Sequence, residues 1–382
     1  MPNALIIIFF SLVFLIFYTY LIYPLVLMFL VSFKKKYAFS KEISAENQYP
    51  NVSMIVAAYN EEKVMEEKIK NFMSINYPRD KIELIVGSDG SKDSTESIIK
   101  DFENERIRLR SFGMQRGKIS VLNDIVKESR GEIIIFSDAD TMFAANAALL
   151  LVKHFKNKKI GAVCGRLKLK SVKSSLKEEK RYWNYENFIK EKESALKSIV
   201  SINGQIFAIR KELFYPFPKD TITEDQVLGM HIIKQGYDIK FEPKAAAFEM
   251  VGDLKKEINR RIRISAGNFQ SIKYYYRLLA PAAGFISFAL WSHKILRWLA
   301  PFFGLSIFIL TPIAARYNRM YILLFFAQIL FYLIIPAFYL LFGFLRKNKI
   351  LSIIFYFDIM NAAVIIGFFK FLSGTQKSAW KS

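Results

Sequence analysis

Residues 132–140, Glu-Ile-Ile-Ile-Phe-Ser-Asp-Ala-Asp, decide how this chain is read. The apolar run at 133–136 predicts a buried strand. It ends in two carboxylates one residue apart, Asp138 and Asp140. Open α/β sheets bind their ligands at the carboxyl ends of the strands. Two carboxylates there can hold a hard divalent cation against a diphosphate, because Mg²⁺ takes one or two carboxylates plus phosphate oxygens. The bland alternative is a solvated turn in which an aspartate caps a helix.

The flanking sequence supports the first reading. A strand at 52–58 precedes Tyr59-Asn60-Glu61-Glu62, which opens a helix with Asn60 as its N-cap. A second strand at 82–87 ends in Ser88-Asp89-Gly90-Ser91, followed by a helix capped by Asp93 or Ser94. A third short strand covers 107–112, and Arg116-Gly117-Lys118 leads into another helix. Alternating strands and helices predict a mostly parallel, Rossmann-like sheet with helices on both faces. Parallel topology brings the polar loops at 59–61, Asp89 and Asp138/Asp140 to one rim.

Further along, 160–171 continues the sheet. Residues 174–197 predict a charged helix carrying Tyr182, Trp183, Tyr185 and Phe188. Asn203-Gly204-Gln205 lies within 201–210, and Thr223-Glu224-Asp225 starts a helix running to 235. Residues 237–249 read as a hairpin or a pair of edge strands, and 254–276 as a basic helix with Arg260, Arg261 and Arg263.

Composition sets the surroundings. Of 382 residues, 52% are hydrophobic, with 36 Phe and 19 Tyr, against about 45–50% in soluble domains on a count that includes glycine. The excess is concentrated at the first 33 residues and beyond residue 280. Residues 4–33 exceed the roughly 20 residues that span a bilayer, and no signal-peptide cleavage pattern follows them. The lysines at 34–36 then put that end in the cytoplasm. In the tail, 280–291 is too short to span and is expected in the membrane surface. Residues 292–298, with His293, Lys294, Arg297 and Trp298, suit the headgroup layer. Spans are expected at 299–315, 321–345 and 350–372, with a cytoplasmic turn at 346–349 and Arg316 and Arg319 outside. This gives an N-terminal transmembrane helix (1–36), a cytoplasmic catalytic block (37–280) and a C-terminal membrane domain (281–382).

The net charge of +21 fits anionic headgroups and a nucleotide substrate. No recognised nucleic-acid motif accompanies it, so nucleic acid is not expected as a partner. The single cysteine, Cys164, sits in an apolar run and is expected in the core.

Together these motifs resemble the family 2 glycosyltransferases of GT-A fold, in particular the membrane-embedded synthases of poly-N-acetylglucosamine, hyaluronan, cellulose and chitin. The resemblance covers residues 50–280 closely and the flanking spans in arrangement. It implies that Ala57, Tyr59 and Glu61 hold the nucleoside of the donor, that Asp89 accepts a hydrogen bond from the base, and that Lys118 lies near the nucleotide. Asp140 is implied as ligand of Mg²⁺ or Mn²⁺, with Asp138 by the ribose and diphosphate. Asp225 is implied as the general base, Gly204 and Glu224 as acceptor-side residues. One motif departs from the pattern. The polymerising synthases carry Gln-x-x-Arg-Trp, where this chain has Arg260-Arg261-Ile262-Arg263-Ile264. Arg263 keeps the diphosphate-facing arginine, Arg260 and Arg261 join the acceptor side, and the aromatic platform is missing at Ile264.

The resulting expectation is an inverting, multi-pass membrane glycosyltransferase with a cytoplasmic catalytic domain. It would use a nucleotide-diphosphate sugar, a UDP-sugar by the resemblance, and a polysaccharide or lipid-linked acceptor. Membrane lipids are expected partners, with an accessory subunit or a second copy as a further one. The alternatives are a single-transfer polyprenyl-phosphate sugar transferase and a silent polysaccharide-binding scaffold that kept the fold.

Overall fold

The computed structural model describes residues 3–34, 49–170, 177–250, 254–343 and 348–376. Its strands are β1 (Val52–Ala58), β2 (Ile82–Ser88), β3 (Ile107–Ser111), β4 (Ile133–Phe136), β5 (Met142–Phe143), β6 (Ile160–Lys170), β7 (Phe207–Arg210) and β8 (Asp238–Met250). They form one sheet in the order β3-β2-β1-β4-β7-β6-β8-β5. β1 to β4 pair in parallel, as the alternating pattern predicts. β7 runs antiparallel to both β4 and β6.

Every residue of β1, β2 and β4 is buried, because helices cover both faces. On one face, helix Glu62–Met73 lays Met65, Ile69 and Phe72 against Met54, Val56, Leu84 and Val86. On the other, helix Lys118–Glu128 lays Val121, Leu122 and Ile125 against Ile55, Ala57 and Ile85. Each such side chain fully buried contributes about 1.5–3 kcal/mol. A Cβ at Gly87 would come within 2.3 Å of Val121, so this glycine lets the 118–128 helix lie directly on β2. Its first residue, Lys118, thereby reaches the rim. Cys164 is fully buried, as its apolar run suggests.

Two local expectations are corrected. The segment 237–249 is a single strand, β8, lying between β6 and β5 rather than a hairpin. Its register against β6 shifts at Gly165/Arg166, and this irregularity absorbs the break that Pro243 imposes on a ladder. Asn60 does not cap the first helix. It adopts a left-handed conformation (φ 55°), and its side chain accepts a hydrogen bond from Lys92 N–H at 2.9 Å, joining the two rim loops. Asn tolerates that conformation better than most residues.

Four helices among the described residues are long and apolar enough to cross a membrane: Asn3–Ser32, Phe285–Ala315, Met320–Leu341 and Lys349–Leu372. The count matches the expectation, but the second differs in extent. The expected surface segment at 280–291 contributes its last residues to one continuous helix from Phe285, through a π-turn at Leu290–Ile295. His293, Lys294 and Trp298 are buried rather than held among headgroups. Carboxylates of helix Lys177–Leu196 meet the basic residues instead: Glu193 bonds His293 at 2.8 Å, and Glu186 bonds Lys294 at 3.2 Å and also Arg297. Tyr23 of the first span donates to the same Glu193 at 2.7 Å. The fourth span packs on helix Leu254–Tyr275 at Gly367, where a Cβ would meet Ser265 at 2.5 Å. Residues 35–36 of the expected cytoplasmic lysines, 37–48 at the start of the expected catalytic block, and 346–347 of the expected cytoplasmic turn lie outside the described residues.

Candidate active site

The parallel strands end together at one rim, with Ala58 beside Ser88 and Ser88 beside Ser111. The Asp-Ala-Asp loop follows β4 there. Asp138 is half-buried and Asp140 faces the open cleft. Lys118 donates to Asp138 Oδ1 at 2.7 Å and to Glu224 Oε1 at 2.5 Å. One ammonium thus ties the Asp-Ala-Asp loop to the Thr-Glu-Asp helix start, two motifs more than 80 residues apart.

This bridge organises the electrostatics. Burial opposes the Lys118 charge, but Asp138 and Glu224 outweigh it and hold the ammonium well above the usual lysine range. Burial likewise opposes the Asp138 charge, and Lys118 outweighs it, keeping that carboxyl below its ordinary value. Among the described residues Asp140 has no ion pair; burial, then the Asp138 charge, push its carboxyl up. Burial, then the charges of Asp140 and Asp138, also raise Glu61 to about 7. Glu249, at the end of β8, is raised to about 7 by burial and the same two aspartates, against the pull of Arg260. The cleft therefore concentrates carboxylates that repel one another.

Hard oxygen donors in such an excess suit a divalent cation. Among the described residues no group of three His, Cys, Asp or Glu side chains forms a complete metal cage. Mg²⁺ or Mn²⁺ held by Asp140 and Asp138 would therefore need oxygens from a bound diphosphate, which is the usual arrangement for Mg²⁺ in phosphate chemistry.

The other expected residues take different places. Asp89 is fully buried, and its carboxylate accepts from Arg116 N–H (2.6 Å) and Gly117 N–H (2.8 Å). It shapes the turn that launches Lys118, and Gly117 there has φ +88°. Ala57 is a core residue, 3% exposed, beneath the rim rather than on it. Tyr59 is half-buried in the loop that follows β1. Arg263 is exposed, donates to Ile222 O at 3.2 Å, and is near enough to lower Asp138 and Asp225. Arg260 pairs with Glu249 at 3.1 Å and Arg261 with Glu257 at 2.6 Å.

Asp225 stands at the first turn of helix Glu224–Lys234. Burial, then the neighbouring Glu224 charge, raise its carboxyl to about 6, against the Gln226 N–H, Lys118 and Arg263. A Cβ on Gly204 would come within 3.1 Å of Asp225 Oδ2, so glycine keeps that oxygen uncrowded. Thr223 precedes this helix without capping it: its Oγ1 is buried with no hydrogen-bond partner among the described residues. A cavity of about 490 Å³ opens beside Asp225 and runs past Asn203 and Arg261 toward the fourth span.

Lys68 and Glu249 escaped the sequence reading. Lys68 is 0% exposed and donates to Ser137 Oγ at 2.5 Å and to Thr141 O, the residues that bracket Asp138 and Asp140. Burial pulls it down to about 7, against the charges of Asp138 and Asp140. Asn71 of the same helix bonds the backbone of Phe143 in both directions, at 2.8 and 2.7 Å. A signal existed for Lys68, because it falls in the apolar stripe of Met65, Ile69 and Phe72. None existed for Glu249, whose role depends on where β8 ends.

The model of the family described as Glycosyl transferase family 2 matches residues 53–216. That range encloses Lys118, Asp138, Asp140 and Gly204. The chain is 29% identical over 238 residues to the poly-beta-1,6-N-acetyl-D-glucosamine synthase of Staphylococcus epidermidis, covering 59% of this chain and 57% of that protein. It is 28% identical over 235 residues to the synthase of the same name from Staphylococcus aureus, covering 59% and 56%. It thus spans little more than half the length of these relatives. In three dimensions it is similar to the mannosyltransferase PcManGT from Pyrobaculum calidifontis, solved in complex with GDP-Man and Mn²⁺, with a TM-score of 0.72 and 23% identity over 96% of this chain and 99% of that one. The fold is GT-A, and within it residues 53–216 match the glycosyl transferase family 2 model.

Proposed function

We propose that the chain is an inverting membrane glycosyltransferase. It moves a sugar from a nucleotide-diphosphate sugar, a UDP-sugar by resemblance to the named synthases, to a hydroxyl of a polysaccharide or lipid-linked saccharide. The observation that supports this reading is the Lys118 bridge from Asp138 to Glu224, which brings the Asp-Ala-Asp loop up to the helix start that carries Asp225.

Tyr59 and Glu61 face the nucleoside from the first rim loop, and Asp89 acts chiefly by shaping the Lys118 turn. Arg263, with Arg260 behind it, binds the diphosphate, since a guanidinium fork matches phosphate oxygens. Asp138 and Asp140 would hold Mg²⁺ or Mn²⁺, which when bound supplies Lewis-acid neutralisation of the leaving diphosphate. Asp225 takes the proton from the acceptor hydroxyl, whose oxygen attacks the anomeric carbon from the face opposite the diphosphate. A carboxyl raised to about 6 suits that task, being ionised at neutral pH yet more basic than an ordinary aspartate. Gly204 leaves room for the acceptor beside it. The four apolar helices cross the membrane, with the catalytic domain on the cytoplasmic side.

The test is incubation of membranes containing the protein with a panel of radiolabelled nucleotide sugars, with and without excess chelator. One UDP-sugar should be consumed, chelator should stop it, and Mg²⁺ or Mn²⁺ should restore it. Consumption of no donor would overturn the reading; full activity in chelator would overturn its metal.

A further inference from the structure

The cavity beside Asp225 changes character along its length. Its inner end is polar, with Asp225, Asn203, Gln205 and Gln226. Its far end is built from Ile353, Phe357, Met360 and Val364, one face of the fourth helix that is long and apolar enough to cross a membrane. Tyr20 of the first span closes that end against Phe357, ring centroids 6.2 Å apart. Most of the lining is apolar.

Between the two ends runs a basic belt of Arg261, Lys294 and Arg297. Glu186 is shared by Lys294, Arg297 and His293. Glu257 pairs with Arg261 and Glu193 with His293, but among the charged side chains that line the cavity itself the six basic ones outnumber Glu186 and Asp225. Arg297 is held in place by the rings of Tyr20, Tyr182 and Tyr185, 5.1–5.7 Å from its guanidinium carbon.

We infer that the acceptor is a lipid-linked saccharide: a hydrocarbon chain against the fourth span, a phosphate or diphosphate linker at the Lys294/Arg297 belt, and a sugar hydroxyl at Asp225. This rests on the glycosyltransfer reading above and chooses among its acceptors. A free polysaccharide is hydroxylated along its whole length and gains little from an apolar wall at membrane depth. A lipid phosphate without a sugar would attack through an oxygen that is already ionised, for which a carboxylate base is not needed and repels the nucleophile. A sugar hydroxyl on a lipid anchor uses all three zones. The charge balance is plain: the acceptor O–H bond breaks, its proton goes to Asp225, the new C–O bond forms at the anomeric carbon, and the nucleoside diphosphate leaves.

The experiment uses the full chain in nanodiscs with the donor found by the panel and three acceptors. They are a polyprenyl diphosphate carrying one hexose, the free oligosaccharide of the same sugar, and polyprenyl phosphate bearing no sugar. The lipid-linked sugar should be used at least about 100-fold better in kcat/KM than the free one, and the sugarless lipid not at all. Equal use of the free oligosaccharide, or preference for the sugarless lipid, would overturn the inference. Met360→Trp, which fills the apolar end, should raise KM for the lipid-linked acceptor about ten-fold while UDP affinity stays the same; an unchanged KM would also overturn it. Failure of every acceptor, with no donor hydrolysis by water either, would instead bring down the glycosyltransfer reading on which the inference stands.

Discussion

Replacing Asp225 by Asn should slow transfer by orders of magnitude and make the protein more stable. The structure gives both halves. In the folded chain the carboxyl is raised from 3.8 to about 6, by burial first and then by Glu224. A carboxyl raised on folding is penalised while ionised, so the penalty is full above the folded value. It fades as pH falls through about 6 toward 3.8. The difference of about 2 pH units, at 1.36 kcal/mol each, bounds the penalty at about 3 kcal/mol near pH 7. Asn keeps the shape and retains an oxygen for the Gln226 N–H, which Asp225 Oδ1 accepts at 2.8 Å. A gain of about 1–3 kcal/mol is therefore expected at pH 7, shrinking to nothing near pH 4. Activity should fall about 10²–10⁴-fold, the range for general-base catalysis, with UDP binding retained. In the wild type, kcat/KM should drop tenfold per pH unit below about 6. Thermal melts in detergent at pH 5 and 7, UDP calorimetry and a pH–rate profile read these out. Turnover at the wild-type rate would remove Asp225 as the base and leave Glu224 to be tested. A lower melting temperature at pH 7 would refute the electrostatic account. Loss of UDP binding would move Asp225 to the donor side.

Three further outcomes are expected. Asp140→Asn should leave the fold intact, since the residue is exposed on a rim, but abolish Mn²⁺-dependent UDP binding by calorimetry; binding that persists would move the metal elsewhere. Lys68→Met removes the donor to Ser137 Oγ and Thr141 O and should destabilise the fold by about 1–3 kcal/mol per unsatisfied group. It should also speed amide exchange over residues 137–143, and unchanged exchange would deny the clasp. In a Cys164→Ser background, Asn318→Cys should react with an impermeant thiol reagent from outside intact cells and Asn348→Cys only after permeabilisation; the reverse pattern would refute the cytoplasmic orientation.

The rim motifs were legible because each is local. Asp138 and Asp140 follow a strand that announces itself by four apolar residues, and the chemistry of a strand end depends only on where the strand stops. The alternation that predicts parallel pairing of β1 to β4 is likewise carried by short-range pattern. Other features turned on contacts between distant segments. Residues 237–249 looked like two strands because Pro243 breaks the pattern, whereas pairing with β6 holds them as one. The basic residues at 293–297 looked like headgroup ligands until Glu186 and Glu193 came to meet them from a helix about 100 residues away.

The sequence by itself determined the α/β order, the membrane-length helices and the identity of the acids at the rim. All of these are written in hydropathy period and in residues adjacent along the chain. Only the tertiary structure decided which charges share a partner, that Lys118 joins two motifs, that Lys68 lies under the Asp-Ala-Asp loop, and that a cavity links Asp225 to the fourth span. Those facts depend on distances between segments far apart in sequence. A lysine reads the same in every window, and burial and the carboxylate it meets give it a role.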